Sequence, residues 1–334
     1  MTLHTLLRTC AISAFATLAL TAGESGLRGP VSGLIVDSES GSIRPILGSA
    51  GAAYAGAAAV RGADALFASP DGERALVAAE GSLFLVHRLA DRAPVWLPLR
   101  DDASSLGLAV FSADSAAVAL HDAAHHRLEL WSGLRDQPAS AGAIDLNEIS
   151  GRLVSLAVAP DAASVFASFQ NSESAAALYL LQPGAAPRLL LTLEQAGALT
   201  LHGDALFIAD RARHEVVRVT NWTGAPHIAT VASAALGLED PTGIAISPDG
   251  RSLLVASAGT RQVLSIDIQE QALKSALDLS FRPSRLEQSG GLLVLAPGIP
   301  GVQPAQVLDP ARFEVYFVPV SVLPEVVETG ASGM

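Results

Sequence analysis

The sequence is poor in charge, in aromatic residues and in cysteine. Only 16% of its 334 residues are charged and 5% are aromatic, whereas 50% are hydrophobic. An average globular chain carries about 25% charged residues, so this composition excludes an intrinsically disordered chain and allows a large buried core. Positive charge is especially scarce, with 21 Lys and Arg against 33 Asp and Glu. The net charge of −12 argues against binding to nucleic acid or to an anionic lipid surface.

The N-terminus combines one basic residue with an apolar run. Arg8 precedes an apolar stretch over residues 9–23, which ends in the small residues Thr21, Ala22 and Gly23. This is the layout of a secretory signal peptide, and the stretch is shorter than the roughly 20 apolar residues that a membrane-spanning helix needs. We therefore predict a signal peptide over residues 1–23 and a periplasmic or secreted mature chain. An uncleaved anchor is the alternative. No later stretch has the length of a membrane span, so we expect no stable membrane insertion of the mature chain.

The single cysteine, Cys10, lies within the predicted signal peptide. The mature chain would then contain no disulfide, no thiol nucleophile and no cysteine-bound metal. The sequence also lacks the Gly-X-Ser-X-Gly pattern of serine hydrolases and the phosphate-loop pattern. We predict no catalytic residues, no cofactor and no metal site.

An aspartate recurs along most of the chain at intervals of 43 to 47 residues. Each copy follows a short apolar run and precedes a second one. In its fullest form the motif is Ser-Pro-Asp-Gly, which predicts a hairpin turn because Pro fixes φ, Asp caps the backbone and Gly accepts a positive φ. The recurring residues are Asp71, Asp114, Asp161, Asp204 and Asp249.

Two further apolar runs follow each hairpin before the next aspartate. The runs are too short for amphipathic helices of ten or more residues, so each unit contains four short strands. A four-stranded unit of ~40–45 residues is typical of a propeller blade. We predict an all-β fold, a β-propeller of four-stranded antiparallel blades, with six full blades over residues 63–320. The single domain spans residues 24–320, and residues 321–334 form a flexible C-terminal tail.

A pair of predicted strands precedes the six blades, at residues 33–37 and 42–48. By its spacing it resembles the third and fourth strands of another blade. A propeller must protect the edges of its last sheet, commonly with a blade that mixes N- and C-terminal strands. The pair therefore either completes a seventh blade or covers an edge of the sixth, and we favour seven blades over six.

Two units resemble known repeats. Residues 238–267 contain Pro-Thr-Gly-Ile-Ala-Ile-Ser-Pro-Asp-Gly and resemble the NHL and YVTN-type repeats of bacterial propellers. Residues 204–219, with Ala-Leu-Phe-Ile-Ala-Asp-Arg-Ala-Arg-His-Glu-Val, resemble the NHL pattern. The resemblance implies a six- or seven-bladed propeller that is commonly extracytoplasmic and commonly a binding surface. It implies no single activity, because this fold hosts hydrolases, lyases, redox enzymes and scaffolds.

The loops between the second and third strands are the candidate ligand-binding loops. In propellers these loops open on one face, and three of them align here, over residues 119–127, 209–215 and 256–262. Their imidazole and carboxylate groups suit zinc, but the same residue types recur in more than one blade, which favours turn chemistry over a metal site. The possible ligand-face residues are Asp122, His125, Asp210, Arg213, His214 and Arg261.

Binding and catalysis are both compatible with a propeller. Resemblance to gluconolactonase-type propellers would imply an acidic ring that holds a divalent ion, whereas only Asp64 is acidic among the six predicted blade starts. We predict a non-catalytic binding or scaffold module whose partner is an extracytoplasmic protein or a small ligand. The alternative is a lactonase-like hydrolase of a lactone or sugar acid. An enzyme should gather titratable groups with displaced pKa values at one channel mouth, and a binding module should present an apolar or Arg-lined patch instead.

Overall fold

The computed structural model describes residues 30–91, 93–296 and 304–319. These residues form strands and one short 3₁₀ helix, Ala234–Leu236. The strands pair antiparallel in seven separate sheets, and each sheet contains strands that are consecutive in sequence. The predicted signal peptide and the predicted C-terminal tail lie outside the described residues.

Six sheets have four strands, and the N-terminal sheet has three among the described residues. In chain order, blade 1 contains β1 (Val31–Asp37), β2 (Ser42–Leu47) and β3 (Tyr54–Ala55); blade 2 contains β4 (Ala65–Ala68), β5 (Arg74–Ala79), β6 (Ser82–His87) and β7 (Val95–Arg100); blade 3 contains β8 (Leu106–Phe111), β9 (Val118–Asp122), β10 (Arg127–Ser132) and β11 (Ala139–Asp145); blade 4 contains β12 (Arg152–Val158), β13 (Val165–Ser172), β14 (Ala175–Leu181) and β15 (Arg188–Leu193); blade 5 contains β16 (Ala196–His202), β17 (Ala205–Asp210), β18 (Glu215–Thr220) and β19 (His227–Ala232); blade 6 contains β20 (Pro241–Ile246), β21 (Ser252–Ser257), β22 (Gln262–Asp267) and β23 (Ala272–Asp278); and blade 7 contains β24 (Glu287–Ser289), β25 (Leu292–Ala296), β26 (Ala305–Asp309) and β27 (Glu314–Val318).

The first strands of the blades meet around a central axis. β1 contacts β4, β4 contacts β8, and the series continues through β12, β16, β20 and β24 back to β1. The ring closes after seven sheets, so the fold is a seven-bladed β-propeller of antiparallel blades. This confirms the predicted fold class and the favoured blade count.

The recurring aspartates lie in equivalent turns between the first and second strands of blades 2 to 6. In blade 2, Ser69 Oγ donates to Asp71 Oδ1 at 2.5 Å and accepts a hydrogen bond from Arg74 N at 3.0 Å. In four of the five turns the residue after the aspartate has a positive φ, as the motif predicts. These angles are +72° at Gly72, +61° at Ser115, +56° at Ala162 and +70° at Gly250.

Adjacent blades pack face to face through apolar side chains. Between blades 4 and 5, the buried Phe166 ring lies edge-on to Trp222, with ring centroids 5.0 Å apart. The indole N–H of Trp222 donates to the carbonyl of Asp204 at 3.0 Å, so the polar atom of this side chain is also satisfied. Burial of one large apolar side chain contributes about 1.5–3 kcal/mol. Packing between neighbouring sheets is therefore the main force that holds the ring together.

The innermost strand of blade 1, β1, runs in the opposite direction to the innermost strand of blade 2, β4. The carbonyl of Gly41, just after β1, accepts a hydrogen bond from Ala63 N at 3.1 Å, just before β4 begins. Gly33, near the start of β1, lies beside Gly72, which follows the end of β4. β1 is therefore antiparallel to β4, whereas the first strands of blades 6 and 7 start side by side.

The N-terminal strand pair is therefore not a third and fourth strand, as its spacing predicts. β1 and β2 are the two strands nearest the channel, and by direction β1, β2 and β3 correspond to the second, third and fourth strands of a blade. The turn after β1 explains the difference: Asp37 Oδ1 accepts a hydrogen bond from Glu39 N at 3.0 Å, and Gly41 has a φ of +59°. The turns that follow second strands and the turns that follow third strands both use this left-handed position. The φ is +48° at His126, after the second strand of blade 3, and +54° at Gln271, after the third strand of blade 6.

Backbone hydrogen bonds link blade 7 to the start of the chain. Gly290 N donates to the carbonyl of Pro70 at 2.8 Å, which joins the inner turns of blades 7 and 2. Ala55 N, in β3, donates to the carbonyl of Pro319 at 3.0 Å. Blade 7 is thus hydrogen-bonded to both blade 1 and blade 2. Within the described parts of the chain, no helix is long and apolar enough to cross a membrane.

Candidate functional site

The six predicted ligand-face residues all lie where second strands pass into third strands. Asp122 and Asp210 are the last residues of β9 and β17. His125, Arg213, His214 and Arg261 lie in the loops that follow β9, β17 and β21. They share one face of the ring but belong to blades 3, 5 and 6.

Asp122 is held inside blade 3 by its own loop. Its side chain is 2% exposed and accepts hydrogen bonds from His125 N at 3.2 Å and His125 Nδ1 at 2.9 Å. Arg127 Nε lies 3.4 Å and Arg100 Nη1 lies 3.8 Å from Oδ2. Burial alone would raise the pKa of Asp122, but the nearby Ser105 hydroxyl and the hydrogen bonds from His125 outweigh it and lower the pKa to about 2. The carboxylate is therefore ionised, and it stabilises the loop through its contacts with His125, Arg127 and Arg100.

Asp210 performs the same task in blade 5. Its fully buried carboxylate accepts hydrogen bonds from Glu194 N at 2.8 Å, from Gln195 N at 3.2 Å and from Arg213 N at 3.2 Å. In blade 6 the corresponding position is Ser257, whose hydroxyl accepts from Glu239 N at 3.0 Å. These side chains fasten the start of a blade to its second strand, which agrees with the interpretation as turn chemistry.

The other candidate residues also bond within their surroundings. Arg213 Nε lies 3.1 Å from Glu194 Oε1. Asp240 N donates to His214 Nδ1 at 3.0 Å, which leaves the proton of a neutral imidazole on Nε2. Arg261 occupies the left-handed position of its loop, with a φ of +56°. The structure therefore brings Asp122 together with His125 and Asp210 together with Arg213, but it does not gather the six in one shared site. The described residues contain no group of three His, Asp or Glu placed to hold a metal ion.

Arg211 and Arg282 converge on one carboxylate at the start of blade 6. Arg211 Nη2 lies 2.7 Å from Asp240 Oδ1, and Arg282 Nη2 lies 2.6 Å from Asp240 Oδ2. Burial opposes ionisation of Asp240, but the two guanidinium groups lower its pKa. The charges on this face are thus paired across neighbouring blades.

The central channel contains a cavity with a volume of about 630 Å³. Its lining comes from the first strands of all seven blades and from the turns that follow them. Most of these side chains are aliphatic, which distinguishes the channel from the charged outer loops. The apolar side chains include Leu34, Val36, Leu66, Phe67, Leu108, Val110, Leu156, Val158, Leu199, Leu201, Ile244, Ile246 and Leu286.

The charged side chains of the channel, Arg285 and Glu287, both belong to blade 7. Arg285, Glu287 and Gln288 line the cavity from β24 and the residue pair before it. Arg285 Nη1 lies 3.0 Å from Glu287 Oε2, and the two side chains are 28% and 60% exposed. The channel therefore has its charged pair on blade 7, while Thr200 and His202 of blade 5 add polar groups on another side.

No protein-family model and no curated protein sequence matches the chain. Solved structures do resemble it. A functionally unknown protein from Desulfotomaculum acetoxidans superposes with a TM-score of 0.56 at 13% identity, over 86% of this chain and 99% of that chain. Hydrazine synthase from Kuenenia stuttgartiensis gives 0.53 at 12% identity, over 90% and 99%. A putative 6-phosphogluconolactonase from Bacteroides fragilis gives 0.48 at 13% identity, over 75% and 81%.

These similarities show the fold alone. The chain is a β-propeller. Its assignment to the NHL or YVTN repeat type stays a prediction, because no family model supports it. A propeller fold is compatible with many activities, so the function is inferred from the channel and the loops.

The sequence pointed to possible ligand-face residues on the loops, which stay a prediction, and did not single out the channel. The sequence does contain a pattern that could indicate the channel, because the first strands have large apolar residues at alternate positions, as in residues 106–111. Blade-to-blade packing explains such a run equally well, so the pattern alone does not show which side chains remain accessible. The ring geometry decides this, because it leaves Val110 and Leu201 only partly buried.

Proposed function

We propose that this chain is an exported, non-catalytic binding module that holds a small apolar ligand in its central channel. One observation carries the proposal: seven blades line a cavity of about 630 Å³, in which partly exposed apolar side chains alternate with polar groups. Ligand pockets are typically concave, about 300–1,000 Å³ in volume and mostly apolar. The predicted signal peptide over residues 1–23 supports export.

The lining keeps apolar surface within reach of water. Phe67, Val110, Leu199, Leu201 and Ile246 are only partly buried, although they belong to the innermost layer of the ring. Covering apolar surface releases about 25 cal/mol per Å². A ligand with an apolar body gains this free energy when it enters, while the ring itself needs no rearrangement.

The channel is built from the framework of the ring. First strands and the turns that follow them supply nearly all of its lining, and the candidate loops supply none of it. Asp122 and Asp210 instead accept hydrogen bonds from backbone amides near them. A cavity formed by paired strands is preformed, which lowers the entropic cost of binding.

A fluorescence titration tests the proposal. The mature chain, residues 24–334, is titrated with N-phenyl-1-naphthylamine, a neutral probe whose emission rises in apolar sites. We expect saturable binding of one probe per chain. Leu201→Trp adds bulk to the channel and should weaken binding by about tenfold or more, because a close-packed site tolerates added volume poorly.

Leu189→Trp is the matched control. Leu189 lies on the outer strand of blade 4 and is 51% exposed, so this change adds the same side chain outside the channel. We expect it to leave probe binding unchanged. Equal probe binding by the two variants, or no saturable binding by the unmodified chain, would refute the channel as the site.

A further inference from the structure

The channel carries its formal charges on one wall. Of the described side chains that line it, Arg285 and Glu287 are the charged pair, and both belong to blade 7. β24 begins at Glu287, so the pair lies toward the end of the channel where the first strands start. The same end carries the loops between second and third strands, as the hydrogen bond from Asp240 N to His214 Nδ1 at 3.0 Å shows.

The two charges are not equally accessible. The side chain of Arg285 is 28% exposed, and its Nε is buried without a hydrogen-bond partner among the described residues. The side chain of Glu287 is 60% exposed and uses Oε2 to contact Arg285 Nη1 at 3.0 Å. The carboxylate of Glu287 is therefore the more accessible of the two charged groups.

The surroundings of Glu287 favour a positive ligand. Gln288, the next residue of β24, adds an amide that can donate or accept. The other blades contribute the partly exposed Val110, Leu199 and Leu201. Polar residues lie among them, such as Thr200 and His202. The chain as a whole carries a net charge of −12, which attracts cations over long distances. Hydrogen bonds between an ammonium group and a carboxylate are about twice as strong as those between neutral groups.

We infer that the ligand of the channel is a small organic cation, with an ammonium group that contacts Glu287 and an apolar body that covers the aliphatic walls. This inference rests on the proposed function, since it names the ligand class of the same cavity. The cavity of about 630 Å³ exceeds the volume of an alkylammonium ion of eight carbons. An anionic ligand would meet the exposed carboxylate, and a neutral one would leave it without a ligand partner.

A competition experiment tests the charge of the ligand. Octylammonium chloride, 1-octanol and sodium octanoate have the same chain length and differ in the head group. Each is used to displace N-phenyl-1-naphthylamine from the mature chain. We expect octylammonium to bind about tenfold or more tightly than 1-octanol, because a hydrogen bond to a charged group is worth more than a neutral one, and octanoate to bind most weakly.

Two variants assign the preference to Glu287. Glu287→Gln should abolish the advantage of octylammonium over 1-octanol, and Glu287→Asp should restore part of it. Glu270→Gln removes an exposed carboxylate from the turn between β22 and β23 and should leave the advantage intact. Thermal unfolding of each variant verifies that it is folded.

The outcomes separate the inference from the proposed function. Equal displacement by octylammonium and 1-octanol, or tighter binding of octanoate, would overturn the inference while the channel remains a binding site. An advantage of octylammonium that survives in Glu287→Gln would also overturn it. Absence of probe binding altogether would refute the proposed function itself.

Discussion

Replacement of Asp122 by Asn should destabilise the fold by an amount that depends on pH. The side chain is 2% exposed, and its pKa falls from 3.8 to about 2 in the folded chain. Because one pKa unit corresponds to 1.36 kcal/mol, the ionised carboxylate contributes about 2 kcal/mol to the free energy of unfolding at neutral pH. Asn keeps the shape of the side chain but loses the charge that His125 and Arg127 contact.

The sign of the pH dependence follows from the direction of the shift. A depressed pKa stabilises the fold above the unfolded-state value of 3.8, and this contribution is lost as the pH falls through about 2. Urea unfolding of the unmodified chain and of Asp122→Asn should therefore differ by about 2 kcal/mol at pH 7, and the difference should shrink between pH 4 and pH 2. Asp101→Asn changes an exposed carboxylate nearby and serves as the control.

Two results would contradict this reasoning. One is a difference between the unmodified chain and Asp122→Asn that stays constant from pH 7 to pH 3. The other is a difference at pH 7 below about 0.5 kcal/mol, which is the scale of an exposed ion pair. Either would mean that Asp122 does not hold its loop through its charge.

Two further predictions concern packing and metal binding. Gly243→Ala should lower the unfolding free energy by about 1–3 kcal/mol, because an added Cβ would lie 2.4 Å from Leu286 N between blades 6 and 7. The control Gly291→Ala places its Cβ in open space and should have little effect. Equal urea midpoints for the two variants would argue against close contact between Gly243 and Leu286. The thermal unfolding midpoint should not change with EDTA or with added calcium, because the described residues offer no group of three His, Asp or Glu for an ion; a rise of several degrees with calcium would contradict this and direct attention back to a lactonase-like site.

The blades could be predicted from the sequence because their signals are local. A turn such as that around Asp71 is specified by neighbouring residues, and its hydrogen bonds join atoms within five positions of each other. Repetition of the same turn at intervals of 43 to 47 residues then predicts four-stranded units, and units of this size close into a ring. The packing of Phe166 against Trp222 follows directly once blades 4 and 5 lie side by side.

The direction of blade 1 could not be predicted in this way. The turn from Asp37 to Gly41 has a geometry that occurs both after second strands and after third strands. Its residues alone therefore do not show which two strands of a blade it joins. Contacts with Ala63 and Gly72 decide the direction, and these depend on the closed ring. The predicted strand pair is real, but its assignment required the tertiary structure.

The channel could not be proposed as a site from the sequence for a related reason. Asp122 and Asp210 combine charge with a loop position, which is the usual signature of a functional residue, yet the structure shows them bonded to backbone amides of their own blades. The channel is built from residues of low chemical distinctiveness, such as Val110 and Leu201, contributed by different blades. A site formed by convergence of ordinary residues leaves no compact motif in a sequence.

A crystal structure of the mature chain soaked with octylammonium chloride tests the central claim most directly. The account predicts one ligand within the channel, with its nitrogen at hydrogen-bond distance from the carboxylate of Glu287 and its alkyl chain against Leu199 and Leu201. An empty channel with the ligand bound at the loops around Asp122 or Asp210 would contradict the account.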